Sequence, residues 1–231
     1  MLRVGLTGGL GSGKSAVGLV FAEGGAHVFS ADEIGRTLMQ PGQPVFREIV
    51  ACFGMGVVLA DGRLDRRALA REAFEGGRLE ELNAIVHPAV LRAQAEEMRR
   101  VEAEDPDGIA VVESALIFEV SRGAEVGRGA ANGTRQSGEG SAADWIGRFD
   151  RLVLVTAPDE LKISRYIART APPGADAATR EALARDARVR LAAQIPDAEK
   201  APLCDYIIEN TSTLVLLRRK AQSVLASLRS L

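Results

Sequence analysis

The stretch from Leu2 to Gly25, LRVGLTGGLGSGKSAVGLVFAEGG, constrains this chain more than any other. It opens on a short apolar run bounded by glycine, which suits a buried strand. It closes on Val17, Val20 and Phe21 at helical spacing, with Gly24 and Gly25 to stop the helix. Between the two lies a loop with little side chain, followed at once by Lys14 and Ser15. Gly8, Gly13, Lys14 and Ser15 fit the spacing G-x-x-x-x-G-K-[ST] of a phosphate-binding loop, or P-loop. Each part has a physical job. Glycine has no β-carbon, so the backbone can curl around an anion with its N–H groups pointing inward. The helix that begins near Gly13 adds unpaired N–H groups and the positive end of its dipole. Lys14 is placed to reach the β- and γ-phosphates, and the Ser15 hydroxyl to ligate a magnesium ion that bridges them. A plain turn would not explain the Gly-Lys-Ser order.

A P-loop needs a parallel sheet behind it, and the chain supplies one. Apolar runs recur at LRVGLT (from Leu2), AHVFS (from Ala26), GIAVVES (from Gly108), RLVLVTA (from Arg151) and DYIIEN (from Asp205). Most do not alternate strictly, as expected of strands covered on both faces. Helical patterns separate them, which predicts βαβ units and an α/β fold with ligand chemistry at the carboxyl ends of the strands. The second and third runs are about 80 residues apart, too far for one crossover. PVFREIVACFG (from Pro44), DRRALAREAFEG (from Asp65) and HPAVLRAQAEEMRRVEAE (from His87) fill that gap as helices. They predict a helical subdomain inserted after strand two. Residues 121–148 are rich in glycine and poor in bulky apolar side chains, and read as a flexible surface insertion. Its arginines leave a contact with an anionic ligand as a lesser reading.

Composition narrows the function classes. The 231 residues are 46% hydrophobic, enough for a core of this size, and the net charge of −2 gives no global basic field for nucleic acid. Cys52 and Cys204 form no C-x-x-C or Cys/His cluster, so neither a disulfide framework nor a zinc site is expected, and both are expected to be buried. No run reaches the length of a membrane span and no leader pattern is seen, so a cytoplasmic protein is expected.

A P-loop alone specifies nucleotide binding, not a reaction. No N-K-x-D string is present to select guanine. Glu113 stands at the end of the third strand, where many ATPases carry an aspartate. The second strand runs directly into SADEIGR, which puts Asp32 at the carboxyl edge of the sheet beside the P-loop. There a carboxylate can take the proton of an attacking hydroxyl. The same aspartate could simply cap the helix through Ile34 and Leu38, although Ser30 is available for that task. Spacing alone leaves the two roles open.

Taken together, these blocks resemble the dephospho-coenzyme A kinase family along nearly the whole chain. GLTGGLGSGKS resembles its P-loop, and VFSADEIGR its segment with an aspartate, a hydrophobic residue and an arginine. PGQPVFREIVACFG and DGRLDRRALAREAF are similar to the opening of its coenzyme-binding subdomain, and LNAIVHP to its His-Pro element. RVRLAAQIPDAEK is similar to its lid and CDYIIENTS to its last strand and turn. The resemblance implies a P-loop kinase with a five-stranded parallel sheet flanked by helices. It also implies a helical coenzyme-binding subdomain at about 36–104 and a lid at about 170–195. The implied reaction is ATP-dependent phosphorylation of the ribose 3′-hydroxyl of dephospho-CoA, with Mg2+.

By the same resemblance, Gly8, Gly9, Gly11, Ser12, Gly13, Lys14, Ser15 and Ala16 hold ATP, with Asn210 near the adenine. Asp32 is the acid/base or orienting carboxylate, and Arg36 and His87 lie near the acceptor. Lys14 and lid residue Arg190 attend the phosphates, and Ser15 is the metal ligand. On the residues alone, His87 reads equally as a packed histidine and Arg190 as a solvated one. Another small-molecule P-loop kinase, or a nucleotide-binding switch, stays open on the motif alone. The chain departs from the family at Ser30, where an aspartate is usual, and at Ala16, where threonine is usual. It also departs in ESALIFE, in the added 121–148 segment and in the longer approach to the lid.

Overall fold

In a computed structural model, the structure describes residues 1–119 and 147–231. The insertion predicted at 121–148 therefore lies, except for its last two residues, outside the described residues. The chain divides into two compact units: Met1–Val28 together with Val101–Leu231, and Phe29–Arg100.

The first unit is built on a five-stranded sheet in the order β2-β3-β1-β4-β5. Its strands are β1 (Leu2–Thr7), β2 (His27–Ser30), β3 (Ile109–Glu113), β4 (Arg151–Thr156) and β5 (Tyr206–Glu209), close to the five runs read from the sequence. β1 lies parallel to β3, with Leu6 opposite Glu113, and parallel to β4, with Thr7 opposite Leu154. β4 lies parallel to β5, with Thr156 opposite Glu209. The central strands are buried on both faces, which is why their sequences do not alternate. Val4, Leu6, Ile109, Val111, Val153, Val155 and Ile208 nevertheless share one face. That face is covered by α1 (Lys14–Glu23) through Val17, Val20 and Phe21, and by α9 (Leu214–Arg229) through Leu217, Ala221, Leu225 and Leu228. At the start of the sheet, Asp150 accepts from the Arg3 backbone N–H at 2.8 Å and from its guanidinium at 2.8 and 3.1 Å. These bonds hold the Asp150 carboxyl below its ordinary range.

Beyond β4 the chain forms α6 (Asp159–Thr170), α7 (Ala177–Ala192) and the short α8 (Asp197–Lys200). Helices α6 and α7 pack through Ile163, Tyr166, Ala184 and Ala187, with Leu10 of the P-loop against the same cluster. No helix among the described residues is long and apolar enough to cross a membrane.

The second unit is helical after the end of β2. It holds α2 (Ala31–Leu38), α3 (Pro44–Phe53), α4 (Arg66–Phe74) and most of α5 (Leu79–Glu104). Proline at the first position of α3 fits because its missing N–H would have had no helical partner there. Asp65 starts α4 by accepting from the N–H groups of Arg67 and Ala68 at 2.9 and 3.0 Å. Val45, Ile49, Phe53, Val57, Leu69 and Ala89 form its own core.

Two sequence readings change here. Helix α5 begins at Leu79, eight residues before His87, and runs through Pro88. A proline inside a helix removes one hydrogen bond and strains the turn before it, but the bonds on either side carry the helix past it. The cysteines are partly exposed rather than buried. Cys52 packs partly buried against the core of the second unit, and its thiol donates to Glu81 Oε2 at 3.3 Å.

Candidate nucleotide site

The P-loop runs from Gly8 to Gly13, between the end of β1 and the start of α1. Two glycines are required by geometry. Gly11 has φ +72°, and a β-carbon there would collide with the backbone carbonyl of Lys162. Gly13 has φ +95° and would carry its β-carbon into the side-chain amide of Asn210. Both positions combine a left-handed backbone with close approach of a neighbour, so side chains are excluded twice over.

Gly13 is also the N-cap of α1, and no side chain caps that helix. Its first turn carries no acidic residue. Side chains cap α2 (Ser30), α4 (Asp65), α7 (Asp176) and α9 (Thr213), whereas α3 and α6, like α1, begin without a side-chain cap. The start of α1 therefore keeps its positive end uncompensated by any side-chain cap or first-turn carboxylate. Lys14 and Ser15 are the first two residues of that turn. The Ser15 hydroxyl donates to Glu113 Oε1 at 2.6 Å. This contact joins the helix start to the carboxyl end of β3, and raises Glu113 from a partial sequence signal to a neighbour of the P-loop serine. A hydroxyl beside a carboxylate is a hard oxygen donor pair of the kind Mg2+ takes together with phosphate oxygens and water. The residues present fit such an ion, with Ser15 and Glu113 as its protein side.

Other groups hold the loop from outside. Gln194 Oε1 accepts from Leu10 N–H at 3.1 Å. Asn210 Nδ2 donates to the Ser12 carbonyl at 2.8 Å, and Arg165 donates to both Asn210 oxygens, at 3.0 Å (backbone) and 3.2 Å (side chain). The resemblance puts Asn210 near the adenine. In the structure it is buried against the P-loop, its side-chain amide bonded to the Ser12 carbonyl and to Arg165. Lys162, also buried, pairs with Asp197 at 2.6 Å and Asp159 at 3.1 Å, and Asp197 accepts from the Thr156 hydroxyl at 2.6 Å.

Arg190 lies in the last turn of α7. Its Nε donates to both oxygens of Asp186 at 3.0 and 2.9 Å, and its guanidinium stands 5.9 Å from the centre of the Tyr166 ring. Tyr166 donates its hydroxyl to Asp186 at 2.5 Å. Desolvation, and then this bond, push the Tyr166 phenol up. Asp186 thus takes the Nε edge of Arg190, whose side chain is otherwise largely exposed. Arg185 and Arg188 pair with Glu181 on the exposed side of α7, as solvated helix arginines do.

In the second unit, Asp32 and Arg36 are both exposed, one turn apart on α2. The capping question is resolved there: Ser30 is the N-cap, accepting from Glu33 N–H at 3.3 Å. The Asp32 carboxylate has no such duty. His87 lies half-buried in α5, and burial lowers its pKa, which favours the neutral imidazole. Gly8, Gly9, Gly11, Ser12, Gly13, Lys14, Ser15, Ala16, Asn210 and Arg190 all belong to the first unit, whereas Asp32, Arg36 and His87 belong to the second.

Sequence reasoning gave no role to Gln194, Arg165 or Lys162. Their contacts reach Leu10, Asn210 and Asp197 respectively, and no local spacing encodes a partner 184 residues away.

With this geometry in place, comparison with known proteins is specific. Residues 2–128 match the family model for dephospho-CoA kinase. A dephospho-CoA kinase of Corynebacterium jeikeium is 35% identical over 93% of this chain and 93% of its own length. One from Anaeromyxobacter dehalogenans is 35% identical over 99% of this chain and 93% of its own. Among solved structures, a Thermus thermophilus protein superposes with a TM-score of 0.69 at 32% identity, covering 98% of this chain and 97% of that one. The dephospho-CoA kinase of Campylobacter jejuni, at 19% identity, shares the fold with a TM-score of 0.58 over 98% of this chain and 96% of its own. This chain belongs to the dephospho-CoA kinase family.

Proposed function

We propose that the chain transfers the γ-phosphoryl group of ATP to the 3′-hydroxyl of the ribose of dephospho-CoA, yielding coenzyme A and ADP. The likeness to dephospho-CoA kinases over almost the whole chain carries the acceptor. The uncapped, glycine-lined start of α1, with Lys14 and Ser15 in its first turn, supports the donor.

In this reading the P-loop backbone and Lys14 hold the phosphates while the O3′–P bond forms and the bond from the γ-phosphorus to the bridging oxygen breaks. Such a transfer has a loose transition state, so positioning and charge neutralisation supply most of the catalysis. A magnesium ion, when bound by Ser15 and Glu113, would add charge neutralisation at the phosphate oxygens. The Asp32 carboxylate takes the proton of the 3′-hydroxyl, or holds that hydroxyl in line. Arg36 and His87 are assigned to the acceptor, and Arg190 to the phosphates. Residues 36–104 are assigned to coenzyme binding and 170–195 to the lid.

Acceptor-dependent ADP release tests the proposal. With Mg-ATP, dephospho-CoA should release one ADP per coenzyme A formed, while nucleosides and sugar acids release none. ADP release at the same rate without an acceptor would instead make the protein a nucleotide-hydrolysing switch.

A further inference from the structure

The outer wall of the P-loop is held by a chain of contacts that starts at a buried charge. Lys200 is fully buried and pairs with Glu119 Oε1 at 2.8 Å. The same carboxylate oxygen accepts from the Ile195 backbone N–H at 3.0 Å. The residue before Ile195 is Gln194, whose Oε1 accepts from Leu10 N–H in the P-loop at 3.1 Å. We infer that Gln194 is a positioning residue for phosphate binding, set in place by the Glu119–Lys200 pair.

A phosphate cradle works only in one shape. Its N–H groups must converge on the anion, and a loop this rich in glycine has many other shapes open to it. Two of its N–H groups are spent on fixing the shape instead. Leu10 N–H goes to Gln194, and Ser12 N–H goes to Gly9 O at 3.1 Å. A loop already held in its bound form is not ordered at the expense of affinity when nucleotide arrives.

Gln194 lies two residues beyond the end of α7, and its own N–H returns to Leu191 O at 3.1 Å. It therefore ties the end of that helix to the P-loop. Its placement depends on Ile195, and Ile195 is bonded to Glu119. The second oxygen of Glu119 is buried without a hydrogen-bond partner, so both contacts fall on Oε1. The Lys200 ammonium approaches that oxygen without hydrogen-bond geometry, so it orients the carboxylate by charge, and the Ile195 N–H supplies the hydrogen bond.

This inference rests on phosphate binding by the P-loop and not on the identity of the acceptor. Its test is calorimetric titration with ADP and magnesium. Gln194→Met keeps the length of the side chain and removes the acceptor of Leu10 N–H. Its Kd for ADP should rise about tenfold, the size of effect expected from one hydrogen bond. KM for ATP should rise with it and KM for dephospho-CoA should stay near wild type, while the unpaired Leu10 N–H should lower the melting temperature by a few degrees and exchange faster. Glu119→Gln keeps an acceptor for Ile195 but removes the charge that Lys200 orients. It should weaken ADP binding in the same sense, and add little to Gln194→Met when the two are combined.

Unchanged ADP affinity in Gln194→Met would overturn the assignment. So would equal losses for both substrates, the mark of general destabilisation. Wild-type protein that failed to bind ADP would instead remove the nucleotide reading itself.

Discussion

Helices α1 and α9 cover the same face of the same sheet, packed on Val4, Leu6 and Val153. They begin in opposite ways. Thr213 caps α9, its hydroxyl accepting from Leu216 N–H at 3.4 Å. Gly13 begins α1 in a left-handed conformation that offers no side chain at all. Packing cannot account for the difference, because both helices bury apolar stripes in one core. A capping side chain is one way to satisfy the first N–H groups of a helix, and α3 and α6 also begin without one; α1 differs from them in following a glycine-lined loop and in carrying Lys14 and Ser15 in its first turn. The bare start of α1 is what a helix needs when a phosphate is to take the place of the cap.

Lys14→Ala is the most damaging single change at the start of α1. It leaves the backbone of the bare helix start intact and removes the cation in its first turn. Loss of a charge-assisted contact is worth about 1.5–3 kcal/mol, and more at a transition state where charge moves onto the phosphoryl oxygens. Turnover should fall more than about a hundredfold, roughly 2.7 kcal/mol of barrier, in a protein with wild-type circular dichroism and melting. If the purified variant turned over near the normal rate, the bare N-terminus would have some other purpose.

Helix α2 sharpens the contrast from the other side. It too is capped, by Ser30, and yet carries Asp32 in its first turn. A carboxylate there gains from the helix dipole whether or not it does chemistry. Asp32→Asn separates the two roles, because the Ser30 cap remains and only the charge and basicity are lost. Stability should change little. In the proposed mechanism kcat should fall about a hundredfold, the lower end of general acid–base assistance, because a loose transfer asks little of its base. ATP affinity should be nearly unchanged. Wild-type kcat at saturating dephospho-CoA would leave Asp32 as a dipole partner and nothing more.

These two residues also show what sequence could and could not convey. The five strands, the P-loop and the cap alternatives at Ser30 and Asp32 were legible because each is written in neighbouring residues. Apolar runs, glycine spacing and helix starts are local codes. Helix α5 was misread at its start because Pro88 looks like a boundary, although one missing hydrogen bond does not end a helix of 26 residues. Glu113 was half legible: its place at a strand end could be read, but its bond to Ser15 depends on the register of β1 against β3. Gln194, Arg165 and the Glu119–Lys200 pair were not legible at all. Their partners are brought to them by sheet order, which no spacing records.

At the capped start of α9 a substitution should cost much less. Thr213→Ala removes a cap whose bond is long, so the cost should sit toward the lower end of the usual range, about 0.5–1 kcal/mol. For a chain of this size that is a fall of roughly 1–4 °C in melting temperature. Binding of ADP with magnesium should not change, although Thr213 stands only three residues beyond Asn210, which holds the Ser12 carbonyl. The reason is that Asn210 is fixed independently of α9: its own N–H is bonded to Thr156 O at 2.8 Å, and its oxygens accept from Arg165. Nucleotide should therefore raise the melting temperature of wild type and Thr213→Ala by the same increment, since that increment depends only on concentration and Kd. A smaller increment in the variant would mean that the cap of α9 and the bare start of α1 are coupled through Asn210, and that the two helix starts cannot be treated as separate designs.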